Sequence, residues 1–374
     1  MHRTDVERVF LRHWLLAGHV ASIPRPGDYF LYDVGYESFV VVRGEGDAVH
    51  ALANVCRHRG SRVCIEEYGH VRQYVCPMHG WAYRVDGRLE CAPNMPADFD
   101  RSSYGLVTAK VEVVDGIIFM CPNDGGDFSA VHRDICEFLA PYELAETRIA
   151  YHRRYLCPAN WKLVAEIFLE LQTTGGAFPQ MRQVMARAAA AVPGNDEAMR
   201  KLENFAAAWR ASTHSPPQRP ARGGAEKHAA VEIDYTCQRE PIRPDFVTQS
   251  EDGRAVAPLL GSQTESDGGV TAIRVLAAWI IVCSDYAAIV RFTPLEAQVT
   301  EMDVTWLVRS TAVEGVDYDA SRVSWLWRAN VERTLKLASD NQLGVNSQQY
   351  CGGPYAPDEA AIDEWVTWYL VRFV

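Results

Sequence analysis

Four residues constrain this chain most strongly: Cys56-x-His58 and Cys76-x-x-His79 each set a thiol beside an imidazole, with 17 residues between the two pairs. Thiols and imidazoles grouped twice in the same order point to a metal centre held by two loops. The opening MHRTDVERVFLRHWLLAGHV carries charges every few residues and lacks the apolar core and small-residue cleavage site of a secretion signal, so a cytoplasmic protein is expected. In that reducing compartment ten cysteines do not make a disulfide framework. Eight of them (Cys64, Cys91, Cys121, Cys136, Cys157, Cys237, Cys283 and Cys351) have no matching histidine and are expected to be buried packing residues.

Two kinds of centre compete for the four ligands. A structural zinc ion can take two cysteines and two histidines, but its ligands are usually grouped as Cys-x(2–4)-Cys and His-x(3–5)-His. A Rieske [2Fe–2S] centre needs both cysteines on one iron and both histidines on the other, so each loop must give one of each, which is the pattern present. Neutral imidazoles in place of anionic thiolates raise the reduction potential and leave ring N–H groups able to meet a carboxylate on a neighbouring surface. Gly60 and Gly80 suit tight loops, Pro77 stiffens the second loop, and Trp81 is placed to shield the centre; ordinary turn and packing roles fit these four equally.

Around these loops, residues 28 to 120 break into short β-like runs with Gly, Asp and Asn at the turns, predicting a small all-β unit. A helix is expected near 132–140, then a strand over AYHRRYLCPAN, with Asn160 capping a helix over WKLVAEIFLEL. Further helices are expected across MRQVMARAAAAV and DEAMRKLENFAAAWRA, and the Pro- and Gly-rich stretch 212–228 predicts a mobile insertion. Alternating segments from 229 to 312 predict an antiparallel sheet, in which the apolar run 275–290, interrupted by Ser284 and Asp285, is too short for a membrane span and reads as one or two buried strands. Two C-terminal helices follow. The fold class is α+β: an all-β unit over 28–130, and a second domain of antiparallel sheet covered by helices from 1–27 and 131–374. A net charge of −11 argues against nucleic acid as a partner.

The stretch NVCRHRGSRVC…CPMHGWAYRVDGRL resembles the Rieske domain of the Rieske non-haem iron oxygenases, the large (alpha) subunits of ring-hydroxylating dioxygenases and related monooxygenases and demethylases. FLRHWLLAGHVASIPRPGDYF, NWKLVAEIFLE, NQLGVNS and GGPYAPDEAAIDEWVTWY resemble the same family, so the likeness spans nearly the whole chain. It implies an oxidoreductase built as a trimeric or hexameric ring, each cluster facing the next subunit's iron site. It also implies a mononuclear Fe(II) held by two histidines and a carboxylate.

Here the sequence departs from the family. Thr173 stands where the first ligand histidine is expected, Ala177 or Phe178 where the second is, and Arg333 or Thr334 where the carboxylate is; Glu332 lies close to that place and Asp340 falls too late. No histidine occurs between His152 and His214, and a rescue would need His214 and His228 from the insertion. Glu170 matches the carboxylate that links a neighbour's Rieske histidine to the local iron ligand, with Glu166 one turn earlier on the same helical face, although a solvated helix glutamate is as good a reading.

The expectation is therefore a Rieske oxygenase component with a [2Fe–2S] cluster and no mononuclear iron of its own. It would take electrons from a reductase or ferredoxin and pass them to a triad-bearing partner subunit for hydroxylation or oxidative demethylation. The alternatives are a self-sufficient oxygenase with atypical ligands and a non-catalytic structural or regulatory subunit. The substrate is not legible; Phe178, Trp279 and Trp306 are at least as well explained as core.

Overall fold

The computed structural model describes residues 2–171, 176–190, 196–213, 215–219, 233–356 and 359–373. After α1 (His2–Arg8), ten strands form the N-terminal β unit: β1 (Leu15–His19), β2 (Asp28–Val34), β3 (Glu37–Arg43), β4 (Val49–Ala53), β5 (Tyr68–His70), β6 (Tyr74–Val75), β7 (Ala82–Tyr83), β8 (Leu89–Cys91), β9 (Thr108–Val114) and β10 (Ile117–Cys121). Seven of them make one sheet in the order β1-β10-β9-β4-β3-β2-β5, and β6-β7-β8 make a separate small sheet. The unit thus begins earlier than position 28, because Leu15–His19 is an edge strand hydrogen-bonded antiparallel to β10. Residues before it belong elsewhere: Asp5 of α1 is buried against the second domain, where the Trp161 indole donates to it.

That domain runs through α2 (Ser129–Leu139), β11 (Thr147–Cys157), α3 (Trp161–Leu169), α4 (Pro179–Val184), α5 (Ala186–Ala190), α6 (Asp196–Thr213), β12 (Tyr235–Pro241), β13 (Gly269–Val275), β14 (Ala278–Val282), β15 (Ala287–Glu296), β16 (Val299–Arg309), α7 (Ala320–Val345) and α8 (Ala360–Phe373). Its sheet is antiparallel throughout, ordered β11-β16-β15-β14-β13-β12. The apolar run 275–290 resolves into β14 and the start of β15, all of it buried. Strands β13 to β15 read as near-continuous apolar runs because helices and loops cover both faces, so no polar face is needed.

Two helices end sooner than their apolar spacing predicts. The expected helix across 181–192 is split into α4 and α5 at Met185, which leaves helical dihedrals to bridge Ile242 while its sulfur accepts from the Gln249 amide. Helix α3 stops at Leu169, and Glu170 caps it. Asn160 opens α3 as expected, its side chain accepting the Lys162 N–H. The insertion predicted at 212–228 lies mostly outside the described residues, as do His214 and His228. Of the ten cysteines none is disulfide-bonded; Cys136 is half-buried yet packs against the core, whereas Cys91 and Cys351 are exposed, so the buried packing role expected for all eight fails at these two. Among the described residues no helix is long and apolar enough to cross a membrane.

The two domains share one core. Phe30, Tyr32 and Val41 of the β unit pack in the same buried cluster as Trp161, Phe168, Trp279 and Trp306. An ion network buried at its centre reaches the joint: Arg291 of β15 sits 4.5 Å over the Tyr32 ring and pairs with Glu301 and Asp303 of β16, while Arg154 of β11 bridges Asp303 and the exposed Glu67. Burial works to raise the Asp303 carboxyl, but Arg291, His152 and Arg154 outweigh it and hold the group well below the usual carboxylate range.

Candidate functional site

Two loops project from the N-terminal unit, one after β4 and one between β6 and β7, and they share a backbone frame. In the first, Cys56 N–H donates to Ser61 O (2.8 Å) and Gly60 N–H to Cys56 O (3.0 Å); in the second, Cys76 N–H donates to Trp81 O (2.8 Å) and Gly80 N–H to Cys76 O (3.0 Å). Each loop therefore closes on a glycine four residues after its cysteine. Those glycines have φ of +82° and +70°, and open space surrounds Gly60, so its left-handed backbone rather than crowding calls for glycine there. The histidine sits two residues after Cys56 but three after Cys76.

The frame sorts the ligands by type. Cys56 and Cys76 are both 2% exposed, and the Cys56 side chain is near enough to the Cys76 thiol to lower it. The His58 and His79 rings meet at 4.6 Å, edge to face. Among the described residues no three His, Cys, Asp or Glu side chains converge as a single ion needs. A Cys/Cys pair beside a His/His pair suits a two-iron centre rather than one tetrahedral zinc. The fit is supported by His79, whose Nδ1 is buried with no hydrogen-bond partner, as an imidazole facing a metal requires. Burial alone would raise the Cys76 thiol, but backbone N–H groups of Met78 and His79 and the Cys56 and Ser61 side chains outweigh it and lower it, favouring the thiolate that ligates iron.

The supporting residues are only partly visible in the sequence. Trp81 stacks on His58 at 4.8 Å with planes 9° apart, a contact that fits the shielding and the packing reading alike. Tyr83 and Asn54 escape a reading of the sequence alone. The Tyr83 hydroxyl accepts the Arg57 N–H (3.0 Å) and lies 3.2 Å from Cys56 Sγ, to which it is the donor when that sulfur is a thiolate; burial first, then this contact, raises its pKa. Asn54, fully buried, accepts from the Val63 and Cys64 N–H groups and donates to Cys64 O, pinning the chain beyond the first loop. The signal for Asn54 is its place two residues before the first cysteine.

The second set of positions is differently furnished. Ala177 is half-buried and its carbonyl accepts from Arg333 Nε at 3.0 Å; Phe178 is 1% exposed and packs in the shared core. Thr334 is fully buried with an unpartnered hydroxyl, and Asn330, one turn earlier on α7, is buried with both amide atoms unpartnered. Glu332 accepts from the Tyr155 hydroxyl and Asp340 lies beside Lys336, both near the surface. Thr173 lies outside the described residues. An amide-bound guanidinium, a phenyl ring and a neutral hydroxyl do not fit a dication that needs imidazoles and a carboxylate. Glu170, as the cap of α3, is half-buried, and Glu166 is pushed up to about 7 by burial, which Lys162 one turn earlier only partly offsets.

Known proteins match this architecture along its length. The family described as Rieske [2Fe-2S] domain matches residues 13–112, and that described as ring hydroxylating alpha subunit (catalytic domain) matches residues 144–373. The glycine betaine monooxygenase oxygenase subunit of Pseudomonas aeruginosa is 32% identical over 384 residues, covering 99% of this chain and 86% of the relative. The same-named subunit of Chromohalobacter salexigens is 32% identical over 378 residues, covering 98% and 81%. In fold, a quaternary ammonium Rieske monooxygenase superposes with a TM-score of 0.70 at 17% identity, covering 98% of this chain and 91% of the other.

Proposed function

The chain belongs to the Rieske ring-hydroxylating oxygenase alpha-subunit family, and we propose that within it this chain serves as an electron-carrying component for a neighbouring subunit. In this reading it takes electrons from a reductase or ferredoxin and hands them to the mononuclear iron of a triad-bearing partner, in a trimeric or hexameric ring, for hydroxylation or oxidative demethylation. One observation carries it: the loop frame that pairs Cys56 with Cys76 and His58 with His79 is complete, whereas the positions expected for the second iron hold Ala177 tied to Arg333, Phe178 in the core and Thr334.

Cys56, His58, Cys76 and His79 would hold a [2Fe–2S] group, which supplies one-electron carriage when bound. The rest is the chain's own work. The backbone N–H groups of Met78 and His79 lower the Cys76 thiol, and Tyr83 would donate to Cys56 Sγ once that sulfur ligates iron as thiolate. Trp81 screens one face of His58, leaving that exposed imidazole available to donate to a carboxylate across a subunit boundary. On the opposite side of such a boundary, Glu170 is the carboxylate we assign to receive a neighbour's imidazole, one turn beyond Glu166.

Metal analysis of the chain expressed alone tests this. About two irons per chain are expected, and co-expression with a triad-bearing homologue should restore oxygenation, with glycine betaine as first substrate because relatives are named for it. A third iron, with turnover by the chain alone, overturns the reading. That result would establish the second reading, a self-sufficient oxygenase with atypical ligands, which the similarity over 99% of the chain to a named oxygenase subunit favours. Purified chain with reductase, NADH and Fe(II) separates the two.

A further inference from the structure

Two of the places where an iron ligand is expected lie on different elements: Ala177 or Phe178 on the segment entering α4, and Arg333 or Thr334 on α7. An ion held by both would tie those elements together. In this chain protein atoms make the tie. Arg333 Nε donates to the Ala177 carbonyl at 3.0 Å in a half-buried setting, and among the described residues the guanidinium has no carboxylate partner. Around this bond the packing is closed: Phe178 and Met181 are each 1% exposed, and Asn330 and Thr334, on the inner face of α7, have no exposure at all. Water reaches neither of those two side chains, so an ion that keeps coordination positions open has no room beside them.

A guanidinium stays charged throughout the physiological pH range and carries its N–H donors permanently, whereas a metal contributes to folding only while it is bound. From this disagreement with the family's pattern we infer that Arg333 takes over, as a built-in cation, the tie between α7 and the entry to α4 that an iron would otherwise make. The inference rests on the electron-carrying reading, in which this chain lacks that iron, and adds a consequence to it. Helix α3, which ends at the Glu170 cap, packs on the same α7. The acceptor side of the subunit therefore keeps its form whether or not iron is supplied, and Arg333 is a positioning residue acting through the backbone at Ala177.

Hydrogen–deuterium exchange of the full-length, cluster-loaded chain, read by mass spectrometry, is the test. In the wild type, exchange over 178–184 should not change on adding bipyridine, with the visible absorbance of the cluster retained. Arg333→Met keeps an apolar stem and removes every N–H; it should speed exchange over 178–184 by about tenfold or more, the scale of a charged donor's bond, and leave β13 to β15 and the cluster loops unchanged. Arg333→Lys keeps a charged donor and should stay within about threefold of the wild type, a rescue that separates the donor from side-chain volume. Unchanged exchange in Arg333→Met, a loss spread evenly over the domain, or a Lys variant as loose as the Met variant overturns the inference while the electron-carrying reading stands. Loosening of the wild type by the chelator at constant absorbance would show a bound ion making the tie, and overturns both.

Discussion

Replacing Tyr83 with phenylalanine removes one hydroxyl and little else. The side chain is fully buried, so water cannot readily take the hydroxyl's place, and the ring still fills its position in the small core beside Cys56, Cys76 and Trp81. What is lost is the hydroxyl 3.2 Å from Cys56 Sγ, together with its acceptance of the Arg57 N–H. A hydrogen bond to a charged group contributes roughly 1.5–3 kcal/mol. Such a donor favours the reduced centre, which carries one more negative charge, over the oxidised one. If the two oxidation states differ by about 1 kcal/mol in how strongly they feel it, the potential falls by about 40 mV for one electron. A potentiometric titration of the loaded chain, followed by the electron paramagnetic resonance of its reduced form, measures this. Tyr83→Phe should titrate lower by that amount at unchanged iron content. A potential that stays put, or rises, refutes the assignment of Tyr83 as a donor to this sulfur.

The remaining predictions concern the helix that carries the two glutamates. Asp5, with no exposure, accepts from Trp161 Nε1 (3.1 Å), Lys162 Nζ (2.5 Å) and the Tyr369 hydroxyl (2.5 Å), joining α1, α3 and α8. Asp5→Asn leaves the Lys162 ammonium without its counter-charge and should lower stability by about 3 kcal/mol in urea unfolding; a loss near zero would contradict the bond set. Glu166 titrates in the folded chain near 7 against an ordinary 4.5, so the folded state binds the extra proton and its stability should fall as pH rises from 4.5 to 7, by up to about 3 kcal/mol. Glu166→Gln should flatten that stretch of the profile, and parallel profiles for the two proteins would show that the carboxyl is not held up by burial.

How legible each feature is in the sequence depends on how it is encoded. A cofactor that needs one thiol and one imidazole from each loop writes its demand as local spacing, so Cys56, His58, Cys76 and His79 stand out from the residue order alone. The glycines that close the loops come with them, since only their backbone reaches φ near +70° to +82° without strain. Tyr83 does not stand out, because its hydroxyl reaches Cys56 only once β7 is paired in a small sheet that folds back on the first loop. The break between α4 and α5 is hidden for a related reason: the helical apolar pattern runs straight through Met185, and a long-range bridge to Ile242 overrides it. The early start of the β unit is likewise a matter of pairing, as nothing local to Leu15–His19 names β10 as its partner.

The buried joint between the domains sets a limit on how the cluster loops can work. With Arg291 lodged over Tyr32, Arg154 bridging to Glu67, and the Gly35 N–H donating to Pro294 O, the β unit is clamped to the sheet at both side-chain and backbone level. The cluster loops therefore have a fixed address on the subunit and are not an arm that swings between a donor and an acceptor. If the chain carries electrons as proposed, donor and acceptor must each come to that fixed address, and the order of delivery is set by which neighbour is docked.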